Sequence, residues 1–591
     1  MDENKSIKMK IVKIMITDRN YSSWSYCYPD TNMPATENDI PELKNINPID
    51  YKLFSQDIIA IHDNEIKILK SNTKLSQAIT GVLQLENNKT FGRTENKKRQ
   101  YYKCIPDNKH LPVFLIPYEI KMGFSKLHKN KYVIFKFDDW KDKHPHGILV
   151  ETLGNVDNLE VFYEYQLYCK SIYHSISDFT NKTKQVLNKK STDEFVDQIL
   201  QNSNYHIEDR RKEYVFTIDP QNSSDFDDGF SIQKTKEDHW RVTVYIANVY
   251  FWMETFGLWN SFSKRVSTIY LPDRRRPMLP NILSDTLCSL QENQLRFALA
   301  MDFIIDSDGK IVNTSIHQYK NVLICVKKNY VYEDPTMLVK DVSYSQLFDL
   351  SLKMDENIQD SNDLVSHWMI TMNMYTGMNM EMEKIGIFRT AHYVNSTNRN
   401  NIQPDLDLET IRVIRSWNNI TGQYIAFNET INFSHEIMQM KSYTHVTSPI
   451  RRLVDLLNQI LMMKHFHLVN NISSDAEEFL KNWMNQMDYI NTSMRSIRKI
   501  QIDCTLLNRC YNDTEIMKKE YQGVLFDKIK KEDGMYKYMV YLKDLNLLSR
   551  ITCSMDLKNY SHQSFKIYLF EDEDKTKKKI RLHMKHQFDV E

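Results

Sequence analysis

The chain has no dense or regularly spaced cysteine set. Its eight cysteines lie apart at 27, 104, 169, 288, 325, 504, 510 and 553, with no CxxC pair. That excludes a disulfide framework or a four-thiolate zinc cage and suits reduced thiols. Neither sign of charge is in excess, since Lys plus Arg and Asp plus Glu both count 77. A bulk positive field therefore cannot be what draws a polyanion, and any site for one must be local. No apolar run reaches the roughly 18 residues that a membrane-spanning helix needs, so no membrane is expected as a partner. The opening MDENKSIKMK is charged and lacks an apolar stretch followed by small residues, unlike a secretory signal. An intracellular, cytoplasmic protein is the expectation.

What is present suits a multi-domain chain. It has 591 residues, 41% apolar and 12% aromatic, and at roughly 100 to 200 residues per domain this suggests about four domains. Residues 1–50 are polar and turn-rich, with Pro29, Pro34, Pro41 and Pro48, and read as a loosely ordered arm. Over 51–110 short apolar runs (DIIAI, IKIL, GVLQL) alternate with turns, the spacing of a small β-barrel. A second such set over 111–188 (LPVFLIP, YVIFKF, GILVETLG) exits through the helical EVFYEYQLYCKSIYHSI. Residues 189–515 mix strands with longer helical periods at about 345–382 and 405–427, an α+β centre. Residues 516–591 return to strand-like runs, a third barrel.

The most informative stretch is TIDPQNSSDFDDGF, from Thr217 to Phe230, with Asp219, Asp225, Asp227 and Asp228 and no basic residue among them. Asp-rich loops are commonly solvated turns. Here strands predicted on either side fix the backbone, so mutual repulsion must be offset by a divalent cation or by raised pKa values. Oxygen-only donors favour magnesium, with manganese as the alternative. The EF-hand calcium spacing does not fit. A phosphoryl oxygen is a natural target for such metal chemistry, which makes phosphodiester hydrolysis the leading reading, against metal-dependent phosphatases and a plain structural loop.

A second constellation, YTHVTSPIRRLVDLLNQILMMKHF from Tyr443, reads as a helix with Ser448 as N-cap, Pro449 at the first position and a buried stripe of Ile450, Leu453, Val454, Leu457 and Leu461. Arg451 and Arg452 then fall in the first turn, where the macrodipole disfavours cations by about 0.3 to 1 kcal/mol each. An anion at that point resolves the conflict; so does an ion pair, for which Asp455 is the nearest candidate.

With these segments in hand, the chain resembles the ribonuclease II and ribonuclease R family of exoribonucleases (the RNB domain), most closely the eukaryotic exosome catalytic subunit group. TIDPQNSSDFDDGFSI has the family's D-x5-D-x-D-D loop. STIYLPDRRRPMLPNILSDTLCSL and THVTSPIRR are similar to its later motifs, and LPVFLIP with FKFDDWKDKHPHGILVETLG resembles its second cold-shock barrel. The resemblance implies an α+β catalytic domain flanked by OB-fold barrels, two cold-shock-like before it and one OB-type after. It implies processive 3′-to-5′ hydrolysis of single-stranded RNA to nucleoside 5′-monophosphates with magnesium. By position it implies Asp219, Asp225, Asp227 and Asp228 as metal-site acids, Asp227 and Arg451 in the chemistry, and Tyr270, Arg451, Arg452 and Arg274 as RNA contacts. Left to itself Tyr270 reads as a strand-end core residue, and the Arg274–Arg276 triplet as solvated surface. Departures are Asn248, Leu453, Val454 and Gln459, none of them a proposed metal ligand. No standard exosome docking is expected, there being no room for that subunit's N-terminal endonuclease domain, and a monomer is. The alternative is an inactive RNA-binding regulatory protein of the same fold.

Overall fold

The computed structural model describes residues 9–585, apart from 63–64, 87–88, 96–97, 121–127, 236–237, 314–315, 394–405, 408, 412, 415–418, 437 and 532. The chain divides into two compact units, Met1–Tyr173 with Ile502–Tyr521 and Ser564–Glu591, and His174–Gln501 with Gln522–Gln563. Among the described residues no helix is long and apolar enough to cross a membrane.

The first unit corrects the reading of its start. The stretch read as a polar arm supplies β1 (Lys10–Ile16), β2 (Trp24–Cys27) and β3 (Pro34–Ala35), which join β4 (Ile58–His62) and β5 (Glu65–Lys70) in a sheet of order β3-β2-β1-β4-β5. The physical reason is the period-2 pattern of KIVKIMI, which turns Val12, Ile14 and Ile16 inward. A second sheet holds β6 (Ile79–Leu83), β7 (Gln100–Pro106), β8 (Phe114–Tyr118), β9 (Lys131–Phe137) and β10 (Gly147–Asn155), in the order β10-β9-β6-β7-β8. It closes where Leu115 N donates to Pro145 O at 2.9 Å and Leu115 bridges His146. The boundary expected at 110 therefore falls between two paired strands. One apolar core serves both sheets: the Phe54 ring stacks on Phe114 at 5.8 Å and meets Trp140 at 4.9 Å. Gly154, at φ +149, precedes the exit helix Leu159–Cys169, and a Cβ there would lie 2.7 Å from Val161.

The second unit is built on seven strands: β11 (Ile207–Asp209), β12 (Val215–Asp219), β13 (Asp228–Lys234), β14 (Trp240–Ala247), β17 (Leu295–Ile305), β18 (Ile311–Asn313) and β19 (Tyr319–Val331). The two-residue strands β15 (Ile269–Tyr270) and β16 (Arg275–Arg276) form a separate ribbon. The sheet order is β11-β19-β12-β13-β14-β17-β18, and an extra β17–β19 pairing closes a ring. β12 and β19 run parallel, with a register shift between Val215 and Phe216 and continuous pairing from Phe216 to Asp219. Inside the sheet Arg210 grips Asp302 through two bonds of 2.7 Å, and Thr243 Oγ1 donates to the same carboxylate at 2.6 Å.

Helices Val342–Met354 and Ser361–Met382 occupy the first stretch expected to be helical. The end of the second, Asn419–Ala426, is instead β21, paired antiparallel with β20 (Ile387–Tyr393). Its Tyr424 and Ile425 suit a strand, and IFRTAHY gives it a partner that local periodicity could not reveal. Leu406 and Ile414 pack with Val524, Phe526, Met539 and Tyr541 in a small core of their own. The C-terminal segment supplies five strands: a meander of β22 (Tyr521–Lys530), β23 (Tyr536–Leu542) and β24 (Leu547–Cys553), and a hairpin of β25 (His562–Glu571) and β26 (Lys578–Met584).

Candidate active site

The acidic segment is a loop between β12 and β13. Pro220 opens a turn in which Ser223 N donates to Pro220 O at 3.1 Å and Asn222 adopts φ +69, a conformation that asparagine tolerates. Ser289 fixes the next stretch. Its hydroxyl donates to Ser224 O at 2.8 Å and accepts from Phe226 N at 3.0 Å, while Leu290 N donates to Phe226 O at 3.0 Å. Backbone position, not solvent, decides where each carboxylate lies.

Two of the four acids meet a guanidinium. Asp225 lies 2.6 Å from Arg275 and accepts from Tyr270 Oη at 3.1 Å. Asp227, 1% exposed, accepts from Ile450 N at 2.9 Å through Oδ1, and its Oδ2 stands 3.1 Å from Arg451 Nε. Burial pushes the Asp227 carboxyl up to about 8 against the pull of Arg451 and the Ile450 N–H. The other two have no such partner. Asp219 Oδ2 is buried without a hydrogen bond, and Asp228 is 6% exposed. Burial raises both and Asp228 raises Asp219 further, while the charge of Arg451 pulls each back without reversing the shift. Ionising both carboxyls is therefore disfavoured, and a cation joined to them would offset the repulsion.

The four acids do not form one cage: among the described residues no three His, Cys, Asp or Glu side chains are grouped to hold a metal ion. Asp225 and Asp227 are turned to arginines, whereas among the described residues Asp219 and Asp228 have no arginine at salt-bridge distance. That pair fits a hard divalent cation by its all-oxygen donors and its orphaned Oδ2.

The arginine segment departs from the helical reading. The helix is Leu453–His465, so Ser448 is not its cap, and Arg452 occupies that position in extended backbone at φ −132, ψ 125. Ser448 to Arg451 form a turn in which Arg451 N and Arg452 N donate to Ser448 O at 3.2 and 2.9 Å. What holds the segment extended is pairing with the residues just before β15: Arg452 bridges Ser267, and Leu453 N donates to Val266 O at 3.0 Å. The expected stripe is buried, but so is every residue from Leu453 to Met463. The two arginines differ. Arg452 pairs with fully buried Asp455 at 2.8 Å, the ion-pair alternative. Arg451 reaches Asp227, and its side chain stays 45% exposed.

Tyr270 is not a core residue. It is 40% exposed at the end of β15, with its N–H donating to Gln501 Oε1 at 3.3 Å. In the arginine triplet the residue that reaches the acids is Arg275, which also holds Asp285 at 2.6 Å. Arg276 is buried against Asp273 at 2.8 Å, and Arg274 has a 66% exposed side chain 3.7 Å from Asp273. A cavity of about 750 Å³ is lined by Asp219, Asp225, Asp228, Tyr270, Arg275 and Arg451, with Val365, Met369 and Ile370 as an apolar wall. Tyr332 also lines it, its phenol raised to about 12 by burial and then by Asp228 and Asp219. Sequence reasoning missed Ser289 and Tyr332, which carry no local signal. Arg275 belongs to the triplet the sequence singles out, but nothing local separates it from Arg274.

Comparison with known proteins bears on the family and the fold. Residues 207–346 and 336–467 match the RNB domain, and residues 101–165 match the Dis3-like cold-shock domain 2 (CSD2). The chain is 24% identical over 588 residues to DIS3-like exonuclease 2 of Schizosaccharomyces pombe, covering 81% of this chain and 62% of that one. It is 26% identical over 271 residues to Ribonuclease R of Aquifex aeolicus, covering 45% and 36%. The alignments thus span less than two thirds of either relative. In fold it is similar to Mycoplasma genitalium RNase R in complex with ribose methylated single-stranded RNA, at TM-score 0.67 and 16% identity over 97% of this chain and 100% of that one. It is also similar to yeast Ssd1, a pseudonuclease, at 0.57 and 12% over 92% and 78%.

Proposed function

Taking the chain as one that carries an RNB domain behind a Dis3-like cold-shock domain, we propose that it degrades single-stranded RNA from the 3′ end, processively and as a monomer, releasing nucleoside 5′-monophosphates. The observation that carries the reading is the buried Asp219–Asp228 pair, in contact with no guanidinium among the described residues, beside Arg451 with its exposed side chain.

Each residue has work in such a reaction. Asp219 and Asp228 would hold magnesium or manganese, which supplies an activated water and charge for the leaving oxygen. Arg451, oriented by Asp227, offers a guanidinium to the scissile phosphate and to the charge that grows on it in the transition state. Arg275 holds Asp225 toward the cavity, and Tyr270 offers a ring on which a base stacks. The apolar wall of Val365, Met369 and Ile370 accepts the terminal base and excludes water from its face. Water attacks phosphorus and the P–O3′ bond breaks. The shortened strand keeps a 3′ hydroxyl and the released nucleotide keeps the 5′ phosphate.

Conservation of fold without cleavage is the other reading, and the geometry disfavours it. An inactive protein has no use for two buried carboxyls that repel each other. The deciding experiment incubates the pure protein and magnesium with 5′-labelled linear RNA and with circular RNA. Stepwise shortening of the linear RNA and survival of the circle support an exonuclease. A cut circle would mean an endonuclease, and binding without shortening would mean the regulatory protein.

A further inference from the structure

Both carboxylate oxygens of Asp225 are engaged by side chains of one short hairpin. Oδ1 lies 2.6 Å from Arg275 Nη1, and Oδ2 accepts from Tyr270 Oη at 3.1 Å. The two donors stand opposite each other on the β15–β16 ribbon, where Tyr270 pairs with Arg275. The hairpin therefore closes on a single acid.

Arg275 is itself anchored from behind. Its Nη2 donates to both oxygens of Asp285 at 2.6 Å, and Ser284 Oγ donates to Asp285 Oδ1 at 2.6 Å. Asp285 stands on the helical turn Ile282–Leu287, and Gln291 Nε2 donates to its backbone carbonyl. Burial disfavours the charge on Arg275, but the Asp285 bonds and the Asp225 charge outweigh burial and raise the guanidinium. It is a fixed cation at the edge of the acidic loop.

Asp219 and Asp228 are placed differently. Asp219 Oδ2 is buried without a hydrogen bond, and among the described residues neither acid has an arginine at salt-bridge distance. A hard ion on that pair meets oxygens that no guanidinium holds. An ion on Asp225 Oδ1 would instead share its oxygen with a guanidinium nitrogen 2.6 Å away, and two cations on one oxygen repel.

We propose that Arg275 occupies the place of a second metal ion, so that the site binds one divalent cation, on Asp219 and Asp228, and carries its other positive charge on the chain. The inference deepens the exoribonuclease reading, on which it rests for what that charge does. Two-metal sites stabilise the attacking and the leaving oxygen with one ion each; here a side chain takes the part of one ion. RNA shortening should then depend on metal with a Hill coefficient near one.

The test uses Mn2+ alone with the full chain and no RNA, in equilibrium dialysis and electron paramagnetic resonance of the bound ion. Wild type should bind one Mn2+ per chain. Asp219→Asn should weaken that binding about tenfold or more, whereas Asp225→Asn should change its Kd by less than about threefold. Arg275→Gln frees Asp225 and should bind a second ion, whose coupling to the first over the roughly 4 Å of a two-metal site broadens the resonance. Arg274→Gln, an equal loss of charge on the adjacent residue, should stay at one ion. Two ions or none in wild type, a tenfold loss in Asp225→Asn, a single ion in Arg275→Gln or a second ion in Arg274→Gln would each overturn the proposal. Should Arg275→Gln not fold, the wild-type count and Asp225→Asn decide it. A wild type that binds one ion and fails to shorten RNA keeps this assignment and removes the exonuclease reading. One that shortens RNA with two ions bound does the reverse.

Discussion

Ile450 N donates to Asp227 Oδ1 at 2.9 Å across 223 positions of sequence. One backbone hydrogen bond therefore ties the acidic loop to the arginine turn, and it brings Arg451 Nε to 3.1 Å from the same carboxylate. Neither segment is complete as a site without the other.

Asp227→Asn keeps the bond from Ile450, because the amide oxygen still accepts it, but loses the charge that orients Arg451. Hydrolysis should fall by about 10²-fold or more, with the Kd for RNA within a few-fold of wild type. Single-turnover decay of end-labelled RNA measures the first and fluorescence anisotropy the second. Wild-type decay would remove Asp227 from the chemistry.

The adjacent arginines should separate. Arg451→Lys keeps charge but not the planar fork, so turnover should drop with little change in Tm. Arg452→Met leaves fully buried Asp455 without its cation, which should cost about 3 to 5 kcal/mol and show in thermal melts. The reverse pattern would exchange their roles.

Metal removal should be visible in stability. In chelator Asp219→Asn removes one of two repelling buried carboxyls and should melt a few degrees above wild type, a gain of roughly 1 kcal/mol. Added magnesium should raise the wild-type Tm and leave the variant unmoved. Equal response of both proteins would place the cation elsewhere.

Tyr270→Ala should spare long RNA and change where degradation ends. Stacking is worth about 1 to 3 kcal/mol per base, a large share of the affinity for a short fragment only. A denaturing gel that resolves single nucleotides should show longer end products. Equal slowing at every length with an unmoved end point would mean that the ring has no such role.

The Arg210–Asp302 pair gives a pH dependence away from the site. Burial raises the Asp302 carboxyl, but the Arg210 bonds and charge and the Thr243 hydroxyl outweigh it and hold the group below the ordinary carboxylate range. A depressed folded pKa contributes stability that is full above the unfolded value of about 3.9 and is lost as pH falls through the folded one. Denaturant titrations at descending pH should therefore show Asp302→Asn losing less stability than wild type below about pH 4. Parallel losses would mean that the pair does not titrate with unfolding.

The sequence by itself determined which segments carry chemistry. Four aspartates in a loop between two alternating apolar runs, and an arginine pair placed where a helix dipole opposes it, are local patterns, and local patterns survive without coordinates. It misread KIVKIMI, whose alternation was hidden among prolines and polar turns, and Asn419–Ala426, a strand only because Ile387–Tyr393 lies beside it. Tertiary structure alone decided how the charge in the loop is compensated. Arg451 and Arg275 answer Asp227 and Asp225, and Asp219 and Asp228 have no arginine at salt-bridge distance among the described residues. The physical reason is range. Periodicity and capping act over a few residues, whereas an ion pair depends on distance in space, and these partners are brought together by strand pairing between segments far apart in the chain.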